Sequence, residues 1–330
     1  MTTRRRILIA FAAGSLASPL RAFAQQKPAG LPRIGILGAG SRESTRHQFA
    51  AFESGLLEFG YVGGKNIALE YRFADGHFDR LPALAKDLVG RQPHILLAQS
   101  TPAAAAAKNA TTEIPIVMVS IADPMGAGLV TNLARPGGNI TGITNITAEL
   151  AGKRLAILKE ILPRLSSIAV IINPDDPNAR VQMTNAEDAA RALNIQLRPV
   201  LPLRNAGELT AVFTLATKAR AGGAIRMVDP LGNLLRKQFT ELAATHRLPV
   251  IYAFREDTEA GGLISYGTNL PEQYRRAATY VDKILKGTRA GDLPVEQPTN
   301  FELVINRKTA NALGLKIPQS LLVSAAKVIE

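Results

Sequence analysis

The chain has 330 residues, 46% apolar and 20% charged, with a formal net charge of +12 and no cysteine. Such a composition supports a sizeable packed core and, by length, two domains, while it excludes disulfides and a lipid-modified cysteine anchor. Lys and Arg are scattered among acidic residues, aromatics are 5% and Trp is absent, so a nucleic-acid partner is not expected.

Residues 1–24 read as an export signal. Arg4, Arg5 and Arg6 form a basic start, an apolar run follows from Ile7 to Leu20, and Ala22-Phe23-Ala24 offers a small-x-small cleavage site. The run falls short of the roughly 20 residues that cross a bilayer as a helix. The expectation is a mature N-terminus near Gln25 and a periplasmic protein. Residues 3–8 also allow a twin-arginine signal. Loss of the four signal arginines lowers the net charge to +8. Residues 25–31 read as a linker.

Strands and helices then alternate. Apolar runs at 34–37, 67–73, 95–98, 114–119 and 139–145 predict strands. Helical spacing predicts helices at 44–59 (Phe49, Phe52, Leu56 and Leu57 on one face), 81–89 and 102–109. A second series follows: helices at 150–162, 185–193, 206–220 and 234–245, with strands at 168–172, 196–201, 223–228, 249–253 and 263–266. Short apolar strands between amphipathic helices mean parallel sheets covered on both faces. The expected fold class is α/β, two doubly wound parallel-sheet lobes joined by a hinge. The helix 273–285 and the strand 301–305 come after both series and are expected to return to the lobes. The expected division is 32–145 plus 270–290 for lobe 1, and 146–269 plus 291–330 for lobe 2.

Ligands of open parallel sheets sit beyond the carboxyl ends of the strands. The residues there are the candidates. Gly40 and Ser41 follow the first strand in a small-residue loop, which lacks the third glycine of a dinucleotide fingerprint. Ser100 and Thr101 follow the third strand, and Thr101 is expected to cap a helix whose first residue is Pro102. A helix start offers N–H groups and a positive dipole end to a carboxylate or phosphate. Asp123-Pro124 and Asp229-Pro230 follow strands in the two series. An Asp before Pro is more often a turn former than a ligand contact, yet two such acids, one from each series, are placed to face a ligand amine across a cleft. Asn145 ends a strand, and Tyr252 and Tyr266 lie in late strands. There is no phosphate-binding loop, nucleophile elbow or His-Glu-x-x-His pair. The four histidines are dispersed, so neither metal nor cofactor is expected.

Several segments together carry a resemblance. They include Glu-Phe-Gly-Tyr-Val-Gly-Gly-Lys-Asn-Ile from 58, Asp-Pro-Met-Gly-Ala-Gly-Leu-Val from 123 and Leu-Ala-Arg-Pro-Gly-Gly-Asn-Ile-Thr-Gly from 133. His-Arg-Leu-Pro-Val-Ile-Tyr from 246, Glu-Ala-Gly-Gly-Leu-Ile-Ser-Tyr-Gly from 259 and Leu-Pro-Val-Glu-Gln-Pro-Thr-Asn-Phe-Glu-Leu-Val-Ile-Asn from 293 complete the pattern. The chain resembles ABC transporter substrate-binding proteins of the tryptophan/tyrosine-binding type, which have a type I periplasmic-binding fold. The resemblance implies two lobes closing on a small solute and delivery to the membrane permease of an importer. The family commonly has Gly-Thr-Pro where this chain has Ser100-Thr101-Pro102, and an acidic pair where it has Ala326-Lys327. The reading is a monomeric solute receptor without catalysis, for a small molecule such as an amino acid or related carboxylate. The alternatives are an exported α/β enzyme, which would need a general base in the cleft, and the ligand-sensing module of a signalling system.

Overall fold

The computed structural model describes residues 30–330. The signal expected at 1–24 and nearly all of the linker at 25–31 lie outside the described residues.

The first series forms β1 (Arg33–Gly38), α1 (Arg46–Glu58), β2 (Ala68–Phe73), α2 (Leu81–Gly90), β3 (Ile95–Gln99), α3 (Thr101–Ala110), β4 (Ile116–Ile121) and β5 (Ile140–Thr144). Its strands make one parallel sheet in the order β2-β1-β3-β4-β5. The chain steps outward from β1 to β2, then back past β1 to β3. This reversal is a topological switch point at the carboxyl ends of β1 and β3. Both faces of the sheet are covered by apolar clusters, one under α2 and α3 and the other under α1. Alanines 103, 104, 106 and 107 of α3 are buried, and their small side chains let that helix lie close against the sheet.

The second series forms α4 (Ala151–Ile161), β6 (Ser167–Ile172), α5 (Ala179–Ala192), β7 (Gln196–Pro202), α6 (Leu209–Lys218), β8 (Ala224–Arg226), α7 (Pro230–Leu234), α8 (Arg236–Thr245), β9 (Val250–Tyr252), α9 (Arg255–Glu259) and β10 (Ile264–Gly267). The tail supplies α10 (Leu270–Leu285), β11 (Glu302–Asn306), α11 (Arg307–Leu313), α12 (Gln319–Ser324) and β12 (Lys327–Ile329). The second sheet runs β12-β11-β10-β9-β8-β6-β7, with its own switch point between β6 and β8. It is not wholly parallel: β11 pairs antiparallel with β10. A strand that returns from the other lobe meets the sheet edge from the opposite direction, and alternation of short apolar runs carries no sign of that.

Helix α10 starts at Leu270, three residues before the periodic pattern suggests, because Asn269 caps it by accepting from the Glu272 N–H and Pro271 sits in its first turn. It packs on α1 and β4 of the first sheet. The helices approach backbone to backbone at Gly55, where a Cβ would stand 2.5 Å from the Arg275 carbonyl oxygen. Beyond α10, Leu293 and Val295 enter the first lobe's core, and Glu296 bridges to Ile143 of β5. The chain then crosses to β11. Three segments therefore join the lobes: one after β5, one between β10 and α10, and one before β11.

Candidate ligand-binding site

The two switch points face each other across the cleft. From the first lobe come the loop after β1 and the start of α3. From the second come the loop after β6 and the start of α7. Together they enclose two small compartments. The first has a volume of about 20 Å³ and is lined by Ser100, Thr101, Ser120, Asn145, Asp176 and Asp229, among others. The second, of about 10 Å³, takes in Gly40, Gln48, Gln99, Pro230, Leu270 and Tyr274. Each is water-sized. The lobes are thus drawn together over the site, and a solute of amino-acid size enters only when they part.

On the first-lobe side the chain turns abruptly from β3 into α3. Ser100 is the residue that caps the helix position: its carbonyl accepts from the Ala104 N–H at 3.0 Å, and its own N–H donates to the Val119 carbonyl at 3.0 Å. Thr101 is already helical, so the cap expected of Thr101 belongs to Ser100 by position, and no side chain caps α3. The consequence is chemical. Among the described residues Thr101 Oγ1 and Ser100 Oγ are both buried without a hydrogen-bond partner, at residues only 1% and 7% exposed. Leaving such groups unpaired is costly. They stand beside the first turn of a ten-residue helix, whose N–H groups have no intrahelical acceptors and whose dipole end is positive. Such a wall offers donors and a positive dipole end to an acceptor with negative charge.

The second-lobe side has the opposite character. Asp229 is extended (φ −156°, ψ 159°) and its Oδ1 accepts from the Gly232 N–H at 2.9 Å, capping α7. It is 6% exposed, and Asp176, which lines the same compartment, is 5% exposed. Among the described residues neither carboxylate has a cation within salt-bridge distance. Burial raises both from the ordinary carboxylate range; Asp176, repelled also by Asp229, is pushed up to about 7. The nearby Arg226 partly offsets this at Asp229; its Nη2 donates to Asp257, 2.8 Å away, and to Asn233 Oδ1 at 3.0 Å, while its Nη1 has no hydrogen-bond partner among the described residues. Because a guanidinium only donates, the Asn233 amide is fixed with its NH₂ turned from Arg226. Gly232 makes room for this group: a Cβ there would lie 2.2 Å from Arg226 Nη1.

The other residues singled out from sequence fall in several places. Asn145 lines the first compartment, where its Nδ2 donates to Ser120 Oγ at 3.1 Å and its Oδ1 accepts from the Thr147 N–H and hydroxyl. Gly40 lines the second. Ser41 lines neither; it builds the turn into α1 through reciprocal bonds with Ser44. Asp123 accepts from the Gly126 N–H at 2.8 Å and lines a separate recess with Pro177, Asn178 and Arg180 of the other lobe. Tyr252 lies in the second lobe's core, with Phe239 and Arg226 against its ring. Tyr266 packs near Phe301. Both strand tyrosines line neither compartment. Asp176, Ser120, Gln99, Asn233 and Tyr274 line them without having been singled out. Asp176 was legible by the same rule as Asp229, since each follows a strand at the switch point.

The largest cavity described, about 490 Å³, is elsewhere. It lies beside the hinge segments, with Thr268, Asn269 and 296–300 among its walls. Most of its charges stand in pairs, Arg276 with Glu296 at 2.8 Å and Arg275 with Glu58 at 2.5 Å, while Glu272 also lines it.

Comparison with known proteins settles the family. The family model for ABC transporter substrate binding proteins matches residues 33–329. The chain belongs to this family. It is 27% identical over 268 residues to a tyrosine-binding protein of Clostridioides difficile (strain R20291), covering 80% of this chain and 76% of that one. A conserved domain protein from Vibrio cholerae O1 biovar El Tor is 27% identical and superposes with a TM-score of 0.85 over 91% of this chain and 100% of its own. An ABC domain from Streptococcus pneumoniae, solved in complex with L-Trp, shares the fold at 24% identity, with a TM-score of 0.84 and coverage of 91% and 100%. The protein is therefore a small-molecule-binding component of an ABC transporter with a type I periplasmic-binding fold. Its family is one of binding proteins, a role that implies a permease partner and work outside the cytoplasm. No described helix is long and apolar enough to cross a membrane.

Proposed function

We propose that this receptor captures an α-amino acid with free carboxylate and ammonium groups. The observation that carries the reading is the polarity of the cleft: a helix start with two unpaired hydroxyls on one wall, two buried carboxylates without a bonded cation on the other. A zwitterion laid across it meets a matching pole at each end. Ser100 and Thr101 donate to the carboxylate, and Asp229 with Asp176 accepts from the ammonium through charge-assisted hydrogen bonds. Asn145 and Asn233 supply further polar contacts, and the second compartment, with Pro230, Leu270 and Tyr274, takes the side chain. The tyrosine-binding relative and the L-Trp complex favour an aromatic side chain.

Because the poles belong to different lobes, the ligand stabilises the closed form, which is how a hinge receptor signals occupancy. We take lobe 1 as 32–145 with the return at 270 to about 296, and lobe 2 as the remainder. The receptor works in the periplasm as a monomer after cleavage near Gln25, hands its ligand to the importer's permease, and performs no catalysis. Mass spectrometry of whatever the natively purified protein releases on denaturation tests the ligand class. The expected species is an amino acid; a sugar or an uncharged solute would contradict the reading.

A further inference from the structure

Ser100 holds a conformation that serine avoids. Its φ of 78° and ψ of 161° fall in a region that is essentially glycine's own, and a side chain there carries strain. The backbone is held from both sides, by the N–H bond to Val119 of the neighbouring strand and by the first helical bond to its carbonyl. Glycine would make the same bonds without strain. What serine adds is a Cβ and a hydroxyl, and that hydroxyl is buried and unpartnered in the wall of the first compartment.

A second serine in the same wall sharpens the contrast. Ser120 also has a positive φ, 61°, but its Oγ is held by Asn145 Nδ2. That hydroxyl has an internal partner that ties β4 to the crossing after β5. Ser100 has none. Two unfavourable terms, strained backbone and unpaired hydroxyl, meet at one residue, and no side chain or backbone group among the described residues bonds that hydroxyl.

We propose that Ser100 determines ligand specificity: its Oγ donates to one oxygen of the ligand carboxylate while Thr101 Oγ1 donates to the other. The inference rests on the amino-acid reading above and extends it. Two hydroxyl donors in one wall are matched best by two acceptor atoms on the ligand. A carboxylate has both, whereas a carboxamide presents one acceptor and one donor, so the pair selects free acids over amides.

The test uses L-tyrosine, L-tryptophan and their amides as probes, titrated calorimetrically into the wild type, Ser100→Gly and Ser100→Ala, with melting temperatures of the three empty proteins. Both variants should lose about ten- to a hundredfold in affinity for the free acid and should discriminate less against the amide. Ser100→Gly should melt higher than the wild type because both the strain and the unpaired hydroxyl are gone, and Ser100→Ala, which keeps the strain, should rise less. Affinity and stability thus move in opposite directions in the glycine variant. Wild-type affinity and wild-type acid preference in Ser100→Gly would overturn the proposal while leaving the amino-acid reading standing. Reduced affinity together with a lowered melting temperature would make Ser100 a structural residue and also overturn it. A wild type that binds none of the four probes would overturn the ligand reading itself.

Discussion

The two walls of the cleft are made by the same device and carry opposite chemistry. Each is a switch point of a doubly wound sheet, where loops after adjacent strands splay apart. The first-lobe wall is uncharged at its surface, rich in donors, and conformationally strained: Ser100 and Ser120 both have positive φ there. The second-lobe wall is acidic, and its key residue Asp229 sits in relaxed extended backbone, already satisfied in part by the helix it caps. One fold has been used twice, and only the loop residues decide which pole each copy presents. That asymmetry is what a zwitterion requires and what a sugar or a simple anion does not.

The sharpest break in this comparison is removal of charge from the acidic wall. Asp229→Asn keeps the α7 cap, since Asn caps as well as Asp. It should weaken binding of the native amino acid by about 2–5 kcal/mol, roughly thirty- to several-thousandfold, while the empty protein melts unchanged or higher. Calorimetry beside a thermal melt reads both, and an equal loss in each would make Asp229 a structural cap.

Next in size is the donor wall. Thr101→Ala removes a hydroxyl that bonds nothing among the described residues. Affinity should fall by about 1.5–3 kcal/mol, the worth of a hydrogen bond to a charged group, with little change in the stability of the empty protein. A lowered melting temperature with unchanged affinity would show that the hydroxyl supports packing only.

The acidic wall also leaves a mark on stability against pH. Burial and Asp229 hold Asp176 up at about 7, well above its unfolded value near 3.9. The folded protein therefore binds the proton more tightly than the unfolded chain. This contribution is fully present below the unfolded value and is lost as pH rises through about 7. Glu256, also buried and held up at about 7, acts in the same direction. The empty protein should lose stability between pH 4 and about pH 7, and Asp176→Asn should flatten that slope. A slope unaltered by the substitution would place the titration elsewhere.

The smallest expected effect is at Tyr252. Its hydroxyl is buried and unpaired in the second lobe's core. Tyr252→Phe should leave ligand affinity alone and hold or slightly raise the melting temperature. Weaker binding would bring this tyrosine into the site.

How much of this was legible in the sequence follows from where signals are local. Strand ends followed by Gly, Ser-Thr-Pro or Asp-Pro are local signals, and they led to Gly40, Ser100, Thr101 and Asp229. Which of Ser100 and Thr101 begins the helix depended on a bond from Val119 of the neighbouring strand, which no local pattern records. Tyr252 and Tyr266 sit on strands covered on both faces, so alternation does not say which side points toward the cleft. Asp176 obeys the same strand-end rule as Asp229, but it stands in the run Asn173-Pro-Asp-Asp-Pro, which reads as a turn as well as a switch-point loop. Tyr274 and Gln48 reach the second compartment from helices whose apolar faces look like ordinary core. The antiparallel β11 and the short α7 and α9 were beyond periodicity, being set by tertiary contacts rather than by spacing.

The central claim, that opposed poles hold a zwitterion, is tested most directly by titrating the purified wild-type receptor with a matched series. L-tyrosine, its amide, N-acetyl-L-tyrosine and tyramine share a side chain and differ only in which pole they present. The account predicts tight binding of the free amino acid and at least about tenfold weaker binding of each analogue that lacks one charge. Binding of tyramine or of N-acetyl-L-tyrosine as tight as that of the amino acid would contradict it.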